Sequence, residues 1–222
     1  VVVADWGNHC MRLIDRTTNN TSVLSGQCGL RGGYKDGRPG QFSGPWSVVI
    51  DQKDQNQLLI TDDWNAAVRT VDVMSRAAGT FVRSDPLSRI IGITQEEKSG
   101  DLYVTAYNAL YRIMYTQRSV LLISGSPRSP SYRDSTLLDS RFYSPYALIF
   151  ITPHILLVAD YVNNKLRLLD MNSDKVTTLN VINSLKKPYS LLLTNNSLYL
   201  GQRMKITQYK CEHNITVIRL KQ

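Results

Sequence analysis

Histidine, cysteine and paired carboxylates carry much of enzyme and metal chemistry, and here they are few and scattered. The chain has three histidines (His9, His154, His213) and three cysteines (Cys10, Cys28, Cys211). No CxxC or HxxxH spacing occurs, so a zinc site is not expected. No Ser/His/Asp arrangement, paired-carboxylate site or phosphate loop stands out either. What recurs is a polar frame. Asp5, Arg12 and Asp15 have the same spacing as Asp62, Arg69 and Asp72, and again as Asp160, Arg167 and Asp170. Catalysis would not need three copies. A repeated ion pair that fixes turn geometry explains every copy at once, with Asp accepting from turn amides and Arg reaching a nearby carboxylate or carbonyl. No cofactor and no metal are expected.

The frame belongs to a larger repeat. Weaker copies run from Asp101-Leu102-Tyr103-Val104 into Tyr111-Arg112-Ile113, and from Ser197-Leu198-Tyr199-Leu200 into Met204-Lys205-Ile206. The step is about 52 residues, within the range of propeller blades. A second pattern has twice that period. Tyr34-Lys35-Asp36-Gly37 followed by Phe42-Ser43-Gly44-Pro45-Trp46 returns as Tyr132-Arg133-Asp134-Ser135 followed by Phe142-Tyr143-Ser144-Pro145-Tyr146. Each unit reads as four short apolar strands separated by polar turns. In the second these are 46–50, 58–61, 66–71 and 77–82. Continuous runs such as Ile155-Leu156-Leu157-Val158-Ala159 fit inner strands covered on both faces. A lone four-stranded sheet cannot bury its faces, whereas radially packed neighbours can.

Composition agrees with a globular protein. Of 222 residues, 42% are hydrophobic and 20% charged, which excludes a disordered chain. The net charge of +8 favours acidic partners or surfaces. The longest apolar stretch, 147–159, is broken by Pro153 and His154 and is too short for a bilayer, so no membrane insertion is expected. The chain opens mid-pattern at Val1-Val2-Val3 and reads as a piece of a longer or processed protein.

The segment Val3-Ala4-Asp5-Trp6-Gly7-Asn8-His9-Cys10-Met11-Arg12-Leu13-Ile14-Asp15 resembles the NHL repeat, as does the linker from Asp36 to Asp51. Only Asn8-His9 keeps the Asn-His-Leu run, with Cys10 in place of Leu. The resemblance covers almost the whole chain, strongly in units one, two and four. It implies an all-β propeller, a fold usually six-bladed in this family. Five blades are recognisable, at about 1–44, 45–85, 86–140, 141–187 and 188–222, in one domain. The first lacks its innermost strand. Five blades completed by a strand from elsewhere, and a six-bladed ring with one blade outside the chain, both fit. The fold alone implies little about function.

Antiparallel strands sort the turns of such blades onto two rims. Blade-to-blade linkers share one rim with the second-to-third strand turns. The linker rim carries twelve Lys or Arg, Arg38 and Arg133 among them, against eight Asp, and the opposite rim seven basic against ten acidic residues. The linker rim should be positive. Trp6, Trp64, Tyr107 and Tyr161 fall in its turns. Trp46, Tyr146 and Tyr189 follow the prolines that enter inner strands. Aromatics among Arg and Lys make a protein-binding composition, although packing between blades would also account for them.

The N-glycosylation pattern occurs at Asn19, Asn20, Asn195 and Asn214, all in turns of the opposite rim. Sugars there would leave the cationic rim bare. Cys10 and Cys28 flank one hairpin and could bridge in an oxidising compartment. Cys211 would then be unpaired, or bonded or packed against a segment outside the chain.

The reading is a non-enzymatic module of the extracellular space or secretory lumen, part of a larger protein or assembly, that binds a protein or an acidic glycan through Trp6, Trp64, Tyr107, Tyr161, Arg38 and Arg133. The alternative is a cytosolic RNA-binding NHL propeller, since a positive aromatic face suits single strands. The clustered sequons and the lack of a dense Arg/Lys stripe make a nucleic-acid partner unlikely. An enzyme like the peptide-amidating lyase shares only the fold. Its metal is held by histidines on the axis, and here His9 falls on one rim while His154 and His213 fall on the other.

Overall fold

The structure, a computed structural model, describes residues 1–180, 184–194, 197–203 and 205–210. The strands are β1 (Val2–Asp5), β2 (Cys10–Ile14), β3 (Thr21–Gly26), β4 (Pro45–Ile50), β5 (Gln57–Asp62), β6 (Ala67–Asp72), β7 (Ala78–Arg83), β8 (Ile90–Gln95) and β9 (Leu102–Ala106). They continue as β10 (Ala109–Ile113), β11 (Val120–Gly125), β12 (Pro145–Thr152), β13 (Ile155–Asp160), β14 (Lys165–Asp170), β15 (Lys175–Thr178), β16 (Ser190–Thr194), β17 (Ser197–Gln202) and β18 (Lys205–Lys210). They form five antiparallel blades in chain order, the architecture of a β-propeller: β1–β3, β4–β7, β8–β11, β12–β15 and β16–β18. The expected four strands of the second unit match β4–β7 to within one residue at each end. The first blade starts at the strand equivalent to β5, as its missing inner strand required. Three-residue 3₁₀ turns at Trp6–Asn8, Asp63–Asn65 and Asp85–Leu87 are the only helix among the described residues, and no helix there is long and apolar enough to cross a membrane.

The chain divides into two compact units. One holds 1–102 and 113–120, the other 103–112 and 121–222. In the first unit Met11, Leu24, Phe42, Leu58, Ile60, Val71 and Ala78 close over one another between the first two blades. Phe42 comes from the linker, so the connection itself is part of the core. In the second unit Phe142 repeats that role among Tyr103, Leu110, Leu148, Leu156, Val158 and Leu169. A further layer of Leu157, Ala159, Leu166, Leu198, Leu200 and Tyr209 joins β13 and β14 to β17 and β18.

Strand ends carry a repeated turn. Asp15, Asp72 and Asp170 each accept hydrogen bonds from residues two or three further on. Four residues after each Asp the backbone turns left-handed, at Asn19 (φ 56°), Arg76 (φ 62°) and Asp174 (φ 52°). Asn and Asp tolerate that conformation best among residues with a Cβ, which gives Asn19 a structural reason to be Asn.

Candidate binding site

The repeated Asp and Arg build the frame on which the site rests. Arg69 is fully buried. Its guanidinium donates to Asp62 Oδ2 at 3.0 Å and Asp36 Oδ1 at 2.8 Å, and to the carbonyls of Lys35, Gln41 and Gly79. It stacks between the rings of Tyr34 and Phe42, 4.6 and 5.1 Å from their centroids. Arg167 repeats this with Asp160 at 2.8 Å and Asp134 at 2.6 Å, between Tyr132 and Phe142. The ladder shifts register between Val68 and Arg69, and an irregularity of this kind re-aims a side chain.

The two sequence patterns are therefore two halves of one device. The Tyr-x-Asp linker supplies the second carboxylate and an aromatic face for the repeated Arg. Its signal was present in the sequence, since Asp36 precedes Arg69 by 33 residues and Asp134 precedes Arg167 by 33. Among the described residues Arg12 pairs with Asp5 alone, at 2.6 Å and partly exposed. Burial pushes the carboxyls of Asp62 and Asp160 up. Asn65 and Asn163, three residues on, oppose this, as do the amides of Ser43 and Tyr143 and the arginines.

A second clasp ties three of the linkers to the preceding blade. Gly44 (φ +72°) donates its N–H to His9 Nδ1 at 3.0 Å, while the carbonyls of Gly44 and Ser43 accept from Asp63 and Trp64. Only glycine has free access to that φ without a Cβ, and a Cβ there would sit 3.0 Å from the indole nitrogen of Trp6. In the second unit Ser144 (φ 50°) donates to Asn108 Oδ1 and Lys187 (φ 50°) to Asn164 Oδ1. His9 thus has a positioning role that sequence reading missed.

Around this clasp all three tryptophans of the chain meet. Trp6 lies edge-to-face with Trp46 (centroids 5.6 Å, 77°) and with Trp64 (5.4 Å, 74°), and His9 lies 5.3 Å from Trp64. They remain open to solvent, at 40% for Trp6, 37% for Trp46 and 59% for Trp64. Beside the Trp6 indole, Asp63 is 9% exposed, and its Oδ1 has no hydrogen-bond partner among the described residues. Burial pushes its carboxyl up, against the charge of Arg89 and the Trp6 indole N–H, and the neighbouring Asp62 adds to the rise.

The turn aromatics are not in one register. Trp6 and Tyr161 directly follow the strand-ending Asp, whereas Trp64 comes one residue later and Asp63 takes the aromatic position. In the second unit Tyr146 and Tyr161 stack in parallel (4.2 Å, 5°), with the Lys187 ammonium 5.4 Å from the Tyr161 centroid. Tyr107 is 42% exposed. Of the candidate cations, Arg38 is exposed. Arg133 is exposed but bound to its own linker, donating to the Asp139 carbonyl. In the first unit Arg31, Lys35, Arg38 and Arg89 face solvent. Arg38 does not share the rim of Trp6 and Trp64, because the linker folds along the outer strand and pairs at Gly37 with Ala78, at the end of β7 away from Asp62.

At the far end of the β2–β3 hairpin Asn19 and Asn20 are exposed. Near the hairpin's other end Cys10 and Cys28 form a disulfide, with Cα atoms 5.1 Å apart. Asn195, Cys211, His213 and Asn214 lie outside the described residues. Among the described residues no three His, Cys, Asp or Glu side chains come together as a metal would require.

No known family model and no curated protein matches the chain. Solved structures do. An auxiliary nutrient binding protein from Bacteroides ovatus superposes with a TM-score of 0.69 at 16% identity, over 93% of this chain and 55% of its own. The crystal structure of a nidogen/laminin complex gives 0.68 at 10% identity, over 94% and 70%. Virginiamycin B lyase from Staphylococcus aureus gives 0.59 at 14% identity, over 93% and 75%. At such identities the likeness is one of fold. The chain spans only 55% to 66% of the length of several of these structures.

Proposed function

We propose that residues 1–222 belong to one NHL-type propeller that acts outside the cytosol as a non-enzymatic recognition module. Its linker rim binds a protein or an acidic glycan. The observation that carries this reading is the solvent-open cluster of Trp6, Trp46 and Trp64, with the exposed Arg89 acting through its charge on Asp63 beside Trp64. Large rigid aromatics and arginine are the side chains that concentrate binding energy at interfaces. The Cys10–Cys28 disulfide supports an oxidising compartment. The exposed sequons at Asn19 and Asn20, at the opposite end of their hairpin, leave this rim uncovered. Among similar folds, a nidogen/laminin complex and an auxiliary nutrient binding protein offer precedents for binding, and a lyase offers one for catalysis. The lyase precedent carries less weight because, among the described residues, the buried carboxylates Asp62 and Asp160 are committed to Arg69 and Arg167.

The test is binding of the secreted, glycosylated protein to panels of extracellular proteins and acidic glycans, with mixed-sequence single-stranded RNA as a comparison at two salt concentrations. Trp64→Ala and Arg89→Glu should keep the fold and lose most of the binding. Partner binding indifferent to both substitutions would overturn the assignment of the rim. Salt-sensitive binding to RNA alone would overturn the extracellular reading.

A further inference from the structure

We propose that Asp63 and the three tryptophans form a receptor for a single basic side chain, lysine or arginine, presented by a protein partner. The proposal rests on the recognition reading above and names the chemistry of one contact within it.

The argument starts from a mismatch. The position after the strand-ending residue is aromatic in three turns, at Trp6, Tyr107 and Tyr161. In the second blade it holds a carboxylate instead, nine-tenths buried, with one oxygen unsatisfied. A buried carboxylate oxygen without a partner costs stability. Departures of this kind from a repeat concentrate at functional positions. Arg89 acts on Asp63 through its charge, but its exposed side chain makes no hydrogen bond or ion pair with it among the described residues.

The surroundings select the ligand. Two indoles stand nearly perpendicular to the Trp6 ring. Indole faces attract cations through their quadrupole, more strongly than other aromatic rings do. An ammonium or guanidinium would therefore meet aromatic faces, and could donate to the unpartnered Asp63 oxygen once that side chain, covered in the free structure, turns towards it. Nearby anions point to no other use, since Asp62 is already committed to Arg69, Asn65 and Ser43. The second unit offers an internal precedent, where the Lys187 ammonium sits against the Tyr161 ring. The exposed Arg89, which acts on Asp63 through its charge, would favour a basic side chain set in an otherwise acidic surface, which keeps this inference consistent with an acidic partner.

The chain provides its own reporter, because its only three tryptophans are in the site. The experiment titrates the intact protein with Nα-acetyl-arginine methylamide and Nα-acetyl-lysine methylamide at constant ionic strength, following tryptophan fluorescence. The citrulline and norleucine analogues serve as neutral counterparts, and methyl glucoside as a neutral sugar. A saturable change on the order of 1–10 mM is expected for ligands of this size, at least about fivefold tighter for arginine than for citrulline. Asp63→Asn should abolish that preference, and Trp64→Ala, which leaves two reporters, should weaken binding. Thermal unfolding checks that each variant is folded.

Equal response to arginine and citrulline, saturation by the sugar alone, or an undiminished preference in Asp63→Asn would each overturn the proposal. If Asp63→Asn fails to fold, undiminished arginine binding in Trp64→Ala would overturn it. None of these results bears on the recognition function itself, which is read from the dependence of partner binding on Trp64 and Arg89.

Discussion

Replacing the repeated arginine should cost very different amounts in different blades. Arg69 has no solvent exposure, and Arg69→Ala would strip a buried Asp62 of its cation and leave the carbonyls of Gln41 and Gly79 short of a donor. Breaking a buried pair from one side costs about 3–5 kcal/mol, and Arg69 also stacks on Tyr34 and Phe42. Arg167→Ala should cost the same, because its surroundings repeat those contacts. Arg12 is one-third exposed and holds one carboxylate, so Arg12→Ala should cost no more than about 1 kcal/mol. Guanidinium unfolding followed by circular dichroism measures all three. Because about 5 kcal/mol can exceed a marginal domain's stability, Arg69→Lys supplies a milder variant. It keeps the charge but not the fork that reaches two carboxylates and two linker carbonyls. In Arg69→Met with Asp62→Asn the loss should be smaller than the sum of the single losses, because removing both charges spares the orphan. Equal costs at Arg12 and Arg69, or additive losses in the double variant, would refute the claim that linker and strand are joined through a buried ion network.

Three further outcomes are expected. Cys10→Ala with Cys28→Ala should destabilise the protein by about 3 kcal/mol, the chain-entropy value for a loop of this length, as denaturant midpoints would show; an unchanged midpoint in oxidised protein contradicts it. Asp15 is held down to about 2, chiefly by the Thr17 hydroxyl and then the Thr17 amide. Its contribution is present above pH ~4, the unfolded value, and is lost as pH falls towards 2. The stability gap between the protein and Asp15→Ala should therefore close over that window, and a gap that widens on acidification would reverse the sign. Expression through a secretory pathway should add glycan at Asn19 or Asn20, removed by glycosidase in an intact-mass measurement; an unmodified mass argues against the extracellular reading.

Much of the fold was legible because its signals are local. Runs such as 57–62 and 155–160 announce buried strands, and the Asp–Arg–Asp spacing announces the repeat. The placement of Cys10 and Cys28 on facing sides of one hairpin likewise anticipated their bridge. The site was less legible because it depends on contacts between elements distant in sequence. Nothing local in Tyr34-Lys35-Asp36 says that its carboxylate will meet a guanidinium 33 residues on. Trp64 and Trp6 read as equivalent, yet they differ by one residue in register, and that single step puts Asp63 beside the Trp6 indole. Trp46, grouped from sequence with aromatics that enter inner strands, proved to share the Trp6 cluster.

The hydrogen bonds from Gly44 to His9, Ser144 to Asn108 and Lys187 to Asn164 use main-chain donors, so the outward side chains beside them are free to diversify while the joints hold. The equivalent of His9 in the second blade is Ala66, whose methyl group accepts nothing. Among the described residues the seam between Ala66 and Arg89 therefore lacks this side-chain latch and keeps the main-chain bond from Ser84 to the Ala66 carbonyl. A natural or engineered lineage could remodel that spot at the least cost to its neighbours, and solvent exchange should reach it first.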